Sequence, residues 1–268
     1  MVMANDHLQD YPHRLRRLYW PFLALAEECR DVIGTVAGSF EDAGRRYTIP
    51  RFTLLGPLGN VPQKRIGLFA LLHGDEPAGA AALLKLLQFC VQEPSLAAGY
   101  DLVCYPVCNP TGYEDGTRAN RAGADLNREF WRQSPHPEVQ ILERELREQS
   151  FDGIIALHAD DTSTGIYGYA HGRELNESLV EPALRASERV IPCNVEPVID
   201  GFAARGSIIS DCFEGVLRPA PEQHPQPFEI IFETPGRAHE DLQADAAEVA
   251  LRAILSEYRG FIAYAQGI

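Results

Sequence analysis

The chain has 268 residues, of which 45% are hydrophobic and 23% charged, and its formal net charge is -14. This length and composition are typical of an ordinary globular α/β protein and exclude a disordered or fibrous chain. The acidic balance argues against a nucleic-acid partner, which would need clustered Lys and Arg side chains. We therefore expect a single domain over residues 1–268.

The N-terminus and the cysteines bear on cellular location. Acidic residues and a proline stand where a signal peptide needs a basic region and an unbroken apolar stretch, and no apolar run reaches membrane-spanning length. The six cysteines form no C-x-x-C pair, and several lie in apolar runs where a free thiol behaves as a small hydrophobe. These features predict a cytoplasmic protein with no membrane partner.

The predicted elements begin with an amphipathic helix over about residues 8–36, with apolar positions that include Leu15, Phe22 and Val32. We expect residues 1–45 to form an N-terminal helical cover. Short apolar runs and helical stretches then alternate, which predicts a largely parallel sheet with helices on both faces. The runs are TIPRFTLLG, RIGLFALLHG, PAGAAALLKLLQFCV, DLVCYPVCNP, HPEVQILERELREQ and FDGIIALHA.

The last third of the chain continues the pattern. ELNESLVEPALRASERVI is typical of a helix, PFEIIFETPG of a strand, and HEDLQADAAEVALRAILSEYRGFIAYA of a long closing helix. Ligand sites in open α/β sheets lie beyond the carboxyl ends of the strands. Three residues that end apolar runs, His73, Asn109 and His158, are therefore the first candidates for chemistry.

A metal site is indicated by the order of two histidines and one glutamate. His73 ends a buried strand and Glu76 begins a helix, where Pro77 suits the first turn. This H-x-x-E spacing is weak by itself, since His171 and Glu174 form a second pair without the strand-to-helix context. Catalytic zinc takes three protein ligands, and a further strand-end histidine, His158, can complete the set. The alternative for His158 is a hydrogen-bonded, partly buried core residue.

Four motifs resemble one known family. HGDE, TRANRAGADLNREF, LHA and FETPG, in this order over roughly residues 65–236, are similar to the zinc carboxypeptidases and their deacylase relatives, succinylglutamate desuccinylase and aspartoacylase. The resemblance implies an α/β fold with a mixed, largely parallel sheet of about eight strands. It also implies that His73, Glu76 and His158 bind one zinc ion per chain.

The resemblance assigns roles to four further residues. Asn127 and Arg128 of the DLNR motif would bind the substrate's terminal carboxylate, and the fork of an arginine suits that task. Arg118 would polarise the scissile carbonyl, and Glu233, at the end of FEIIFE, would act as general base. The alternatives are an exposed charged loop that also holds Arg121 and Arg132, and an ordinary strand-end glutamate.

One feature departs from the family pattern. A substrate-contacting Tyr is expected some twenty residues before the catalytic Glu, and the segment SIISDCFEGVLRPAP has none. Another residue substitutes for it, or the substrate differs. Arg205 or Arg218, in loops expected to line the specificity pocket, could favour an acidic substrate side chain, although exposed loop arginines are the simpler interpretation.

Three functions follow from these observations. The first is a zinc carboxypeptidase that removes a C-terminal residue from a small peptide. The second is an N-acyl amino acid amidohydrolase of the desuccinylase and aspartoacylase type. In such deacylases an additional β-domain usually covers the site, whereas the chain after Glu233 is predicted to be helical. The third is an inactive zinc-binding scaffold, which the retention of Arg118, Arg128 and Glu233 disfavours.

Overall fold

The computed structural model describes residues 11–59, 62–170 and 174–267, which form one open sheet with helices on both faces. The strands are β1 Val32–Asp42, β2 Arg45–Leu55, β3 Lys64–Phe69, β4 Tyr100–Tyr105, β5 Gly153–Asp160, β6 Tyr167–Tyr169, β7 Val198–Ile199, β8 Phe202–Arg205, β9 Ile208–Ile209 and β10 Phe228–Pro235. The helices are α1 His13–Glu28, α2 Ala78–Gln92, α3 Pro110–Asp115, α4 Pro137–Glu148, α5 Glu174–Ser187 and α6 Glu240–Gln266.

The sheet is mixed, with strand order β1-β2-β4-β3-β5-β10-β6-β9-β8-β7. Its central strands β4, β3, β5 and β10 are parallel, and towards one edge β6 and β9 also pair in parallel. The predicted α/β class is confirmed. The described residues contain ten strands rather than eight, because β6, β7 and β9 have only two or three residues each and leave no readable period in the sequence.

The prediction that residues 1–45 form a helical cover is partly wrong. Helix α1 ends at Glu28, and Val32–Asp42 is strand β1, which pairs antiparallel with β2. Val32 lies seven positions after Leu25, a spacing that also fits one face of a helix. The apolar pattern therefore does not reveal where the helix ends and the strand begins. Within α1, Tyr19 is buried, and its hydroxyl donates to the Thr48 carbonyl of β2. The first ten residues lie outside the described part of the chain.

Two apolar cores flank the sheet. Helices α1, α2, α5 and α6 cover one face, and α4 covers the other. Strand β3 at the centre is buried on both sides, as Ile66, Leu68 and Phe69 show, which explains its continuous apolar sequence. Fully burying a side chain of this size contributes roughly 1.5–3 kcal/mol. No helix among the described residues has the length and apolar character needed to cross a bilayer.

The carboxyl ends of the central strands meet at one edge of the sheet. Strand β3 ends at Phe69, four residues before His73. Strands β5 and β10 run side by side, and their register pairs His158 with Glu233. Three predicted functional residues therefore lie at or just beyond the same edge, as expected for an open α/β sheet.

Candidate metal centre and active site

The structure brings His73, Glu76 and His158 together in a buried cluster. Each offers one ligand atom, and these atoms lie within 4.8 Å of one another. The distance from His73 Nδ1 to Glu76 Oε1 is 2.6 Å, and that from His158 Nδ1 to Glu76 Oε2 is 3.0 Å. The two Nδ1 atoms are 3.1 Å apart. Two imidazole nitrogens and a carboxylate thus converge on one point. Of the second H-x-x-E pair, His171 lies outside the described residues.

The loop after β3 is fixed by contacts that leave little freedom. The buried Asn109 side chain donates from Nδ2 to the carbonyls of Leu72 (3.2 Å) and Arg118 (3.3 Å). Gly74 donates its backbone N–H to the Arg118 carbonyl. A Cβ on Gly74 would lie 2.0 Å from the backbone carbon of Gly112, so only glycine fits there. His73 and Glu76 are therefore held by backbone packing and by Asn109, another strand-end residue.

Glu76 links the two histidines electrostatically. Burial raises the pKa of Glu76, but His158 and His73 outweigh it and hold that pKa at about 2. Burial lowers the pKa of His158, with Glu76 opposing it, so the neutral imidazole is favoured there. Glu76 Oε2 also accepts the backbone N–H of Ala159 at 3.1 Å. An ionised carboxylate beside a neutral imidazole is the form in which both groups bind metals.

Asp125 is a functional candidate that the sequence reasoning missed. Its Oδ1 lies 3.1 Å from His73 Nε2, and its Oδ2 accepts from Arg118 Nε at 3.2 Å. Burial raises the pKa of Asp125, but His73 and Arg118 outweigh it and hold that pKa well below its usual range. A carboxylate on the outer nitrogen of a ligating histidine fixes its tautomer and orientation. Its place as the first residue of the DLNR motif was the available signal.

Replacing Asp125 by Asn is expected to weaken divalent-metal binding by roughly 10–100-fold, because His73 loses the carboxylate that orients it. Competition titration with a zinc chelator measures the change. Asp115→Asn is the matched control, since Asp115 is in the same segment but binds Arg121 and not the cluster. Equal metal affinity in wild type and Asp125→Asn would contradict this role.

The donor set suits a divalent cation. Two histidine nitrogens and one carboxylate are the ligands that catalytic zinc takes in hydrolases, with further positions left for water and substrate. Among these residues, His73 and Glu76 come from the loop after β3 and His158 from β5. Because such ligands also accept other divalent ions, the donor set supports a metal site more strongly than it selects zinc.

A cavity of about 770 Å³ opens beside the cluster and contains the other predicted site residues. It is lined by Arg118, Asn127, Arg128 and Glu233, together with His73 and Glu76. Arg118 is held by Asp125 and by Glu76, whose Oε1 lies 3.4 Å from its Nη1. The two other arginines of the loop point elsewhere: Arg121 binds Asp42, Glu114 and Asp115, and Arg132 pairs with Glu214.

Arg128 presents its guanidinium to this cavity. Nη1 donates to the Asn127 carbonyl at 2.8 Å, and the guanidinium carbon lies 4.0 Å from the centre of the Phe213 ring. Within the described residues, no carboxylate pairs with it. Asn127 itself is buried: its Oδ1 accepts the Leu217 N–H at 2.8 Å, and its Nδ2 is 3.5 Å from His158 Nε2. The arginine is thus oriented and available to an anionic ligand.

Glu233 lines the same cavity. Burial raises its pKa well above the ordinary value, and the nearby carboxylates of Glu76, Asp160 and Asp200 raise it further, with Arg118 opposing them. Register places Tyr167 of β6 directly opposite Glu233 of β10. A carboxyl group with a raised pKa, close to candidate metal ligands, is suited to proton transfer.

The specificity residues proposed from sequence are not where they were expected. Arg218 donates from Nε to Glu229 Oε1 at 3.1 Å and lines a separate cavity of about 540 Å³. Arg205 is exposed and does not line the main cavity. Tyr167 and Tyr169, which do line the cavity, come from β6, far from the segment before Glu233 in which the family pattern predicts a Tyr. Both arginines are therefore unsuited to selecting an acidic side chain in this cavity.

The fold and the cluster at its strand ends are those of metallohydrolases. The profile of the succinylglutamate desuccinylase/aspartoacylase catalytic domain matches residues 62–195, and the chain belongs to that family. A search of curated proteins found no match. The resemblance inferred from HGDE, DLNR and FETPG is thereby confirmed.

Solved structures show the same fold at low sequence identity. A candidate metallopeptidase from Shewanella amazonensis is 22% identical, with a TM-score of 0.74 and coverage of 90% of this chain and 92% of that chain. A metallo-carboxypeptidase from Burkholderia cenocepacia is 17% identical, with a TM-score of 0.70 and coverage of 94% and 70%. A succinylglutamate desuccinylase from Silicibacter is 18% identical, with a TM-score of 0.57 and coverage of 85% and 66%.

Proposed function

We propose that the protein is a zinc-dependent carboxypeptidase that hydrolyses the C-terminal amide bond of a small peptide. The observation that carries the proposal is the cluster of His73, Glu76 and His158 beside one cavity, which Arg128 and the half-buried Glu233 also line. A cavity of about 770 Å³ is near the upper part of the range for small-ligand sites and leaves room for more than one residue of substrate.

Each residue of the site has a separate role in the proposed reaction. His73, Glu76 and His158 would hold the zinc ion, which when bound supplies Lewis-acid activation of water and of the scissile carbonyl. Arg128 pairs with the terminal carboxylate of the substrate, and Asn127 keeps that arginine in place through its carbonyl. Arg118 donates to the carbonyl oxygen as negative charge develops on it.

Glu233 performs the proton transfers. It takes a proton from the attacking water as the new C–O bond forms, and passes it to the amine nitrogen as the C–N bond breaks. The carboxyl that has accepted this proton is then the proton donor in the second step. Water is consumed, and a shortened peptide and a free amino acid are released.

A second function, cleavage of an N-acyl amino acid, is favoured by the family to which the chain belongs. The same residues would serve it, because the released amino acid again carries a carboxylate for Arg128. The two substrates differ in the group on the other side of the scissile bond, which is a peptide in one case and a short acyl chain in the other. We propose no nucleic-acid or membrane partner, and a cytoplasmic site of action.

A paired substrate screen tests the proposal. Zinc-loaded protein is incubated with a peptide library and with a panel of N-acyl amino acids, and released amino acids are quantified by mass spectrometry. Removal of single C-terminal residues supports the carboxypeptidase, and release from the acyl panel alone supports the amidohydrolase. No release from either panel by a protein that binds zinc would support the inactive scaffold and overturn the proposal.

A further inference from the structure

Two tyrosines of strand β6 form part of the cavity wall. Strand β6 runs antiparallel to β10, and its register pairs Tyr167 with Glu233 and Tyr169 with Ile231. Positions two apart on a strand share a face, so both tyrosines lie on the same side as Glu233. All four residues line the cavity, and both tyrosine rings are buried. Because the rings are buried, the positions of their hydroxyl groups at the cavity are well defined.

Each tyrosine hydroxyl donates to an aspartate at the cavity. Tyr169 donates to Asp200 Oδ2 at 2.6 Å, and Tyr167 donates to Asp160 Oδ2 at 3.0 Å. Both aspartates line the same cavity. Asp160 is also bonded to Thr162 through its other oxygen, whereas Asp200 Oδ1 has no partner among the described residues. Asp200 therefore keeps acceptor capacity for a ligand.

Asp200 occupies a defined turn. It and Gly201 are the two loop residues between β7 and β8, with φ values of 48° and 81°. Two consecutive residues with positive φ are typical of a type I′ hairpin turn, which Asn-Gly satisfies as well as Asp-Gly. The turn thus explains the backbone conformation at position 200, but it does not require a negative charge.

The charges along this wall are not neutralised. Asp160 and Asp200 form no ion pair with any residue in the described ranges. Arg118 is already engaged by Asp125 and Glu76, and Arg128 is the group assigned to the substrate carboxylate. A positive group on the ligand would therefore find carboxylate acceptors in place.

Aromatic rings connect the two ends of the amino-acid site. Arg128 stacks on Phe213, the Phe213 ring lies 4.7 Å from that of Phe202, and Phe202 lies 6.2 Å from Tyr169, which holds Asp200. Phe213 and Tyr169 face the cavity. An aliphatic stem could pack along this apolar surface, with a carboxylate at one end and a cation at the other.

We propose that Asp200, held by Tyr169, is a specificity residue that selects an ammonium or guanidinium group on the side chain of the released amino acid. The inference rests on the proposed function for the position of the carboxylate at Arg128. It holds for the carboxypeptidase and for the amidohydrolase alike, since both release an amino acid at this place. The expected substrates are therefore those that release lysine, arginine or an amino acid with a similar side chain.

The first test measures binding, which does not depend on turnover. Calorimetric titration of zinc-loaded protein compares free L-lysine with L-norleucine, which has the same stem without the amine, and with L-glutamate. Wild type is expected to bind lysine roughly tenfold more tightly than norleucine, as for one partly exposed charge pair, and glutamate more weakly still. Asp200→Asn, which keeps the turn and the acceptor for Tyr169, is expected to remove the preference. Asp31→Asn, at an exposed aspartate outside the cavity, should keep it.

The second test measures hydrolysis of peptides that end in lysine, norleucine or glutamate. We expect wild type to have a higher kcat/KM for the peptide that ends in lysine than for the other two. Asp200→Asn is expected to lower kcat/KM for the lysine peptide roughly tenfold and to leave kcat/KM for the norleucine peptide unchanged. Hydrolysis without a preference for lysine would overturn the inference and leave the proposed function standing. Selective binding of lysine with no hydrolysis of any substrate would support the inference and overturn the proposed function. Equal binding of lysine and norleucine, or a preference unchanged in Asp200→Asn, also overturns it.

Discussion

Glu233→Gln is expected to lower kcat by about 10²–10⁴-fold while leaving bound metal unchanged. Glutamine has nearly the same shape but cannot accept and return a proton at neutral pH. Strand register pairs Glu233 with His158, but Glu233 is not one of the three residues whose ligand atoms cluster. We therefore expect metal affinity not to depend on it. Steady-state kinetics on the best substrate, together with elemental analysis of the same preparation, measure both quantities.

Glu229→Gln is the matched control, because it lies on the same strand and its carboxylate contacts Arg218 away from the main cavity. This variant should retain activity within a few-fold of wild type. If Glu233→Gln also retained it, the assignment of Glu233 as general base would be wrong. Loss of zinc together with activity in Glu233→Gln would instead place Glu233 among the metal-binding groups.

Arg128→Ala is expected to lower kcat/KM by on the order of 100-fold for substrates with a free carboxylate. The reason is that the substrate anion would lose a bidentate partner, which no other guanidinium at the cavity can replace, since Arg118 is held by Asp125 and Glu76. A substrate whose carboxylate is converted to a carboxamide separates this effect from misfolding. Wild type should cleave it poorly, and Arg128→Ala should cleave it no worse.

Arg132→Ala is the control for the loop, because Arg132 is exposed and pairs with Glu214 outside the cavity. It should leave kcat/KM close to that of wild type. Equal losses on the carboxylate and carboxamide substrates in Arg128→Ala would contradict recognition of a terminal carboxylate by this residue.

Long periodic segments and strand-end residues could be predicted from sequence alone. The apolar run that ends at His73, the helix that follows it and the long closing helix are all present. His73, Glu76 and His158 meet because parallel strands bring their carboxyl ends to one edge, a rule that needs no coordinates. The family motifs then indicate the roles proposed for Arg118 and Glu233, which spacing alone does not.

What could not be predicted depends on short or non-local contacts. The sequence predicts a helix where strand β1 begins, because the first apolar residue of the strand, Val32, continues the helical spacing. Strands β6 and β7 are too short to produce a period, and they place Tyr169 and Asp200 at the cavity. The sequence places Arg218 in a loop near the specificity pocket, but its pairing with Glu229 on β10 keeps it away from the main cavity. Side-chain pairing of this kind is decided by tertiary structure.

The metal content of purified wild type, His73→Ala and His13→Ala tests the central claim most directly. Elemental analysis is expected to find about one zinc ion per chain in wild type and in His13→Ala, whose histidine is exposed on α1. His73→Ala should hold almost none, since it loses one of three converging ligands. Wild type without bound divalent metal after purification in zinc-containing buffer, or His73→Ala with undiminished zinc, would contradict the metal centre and the mechanism built on it.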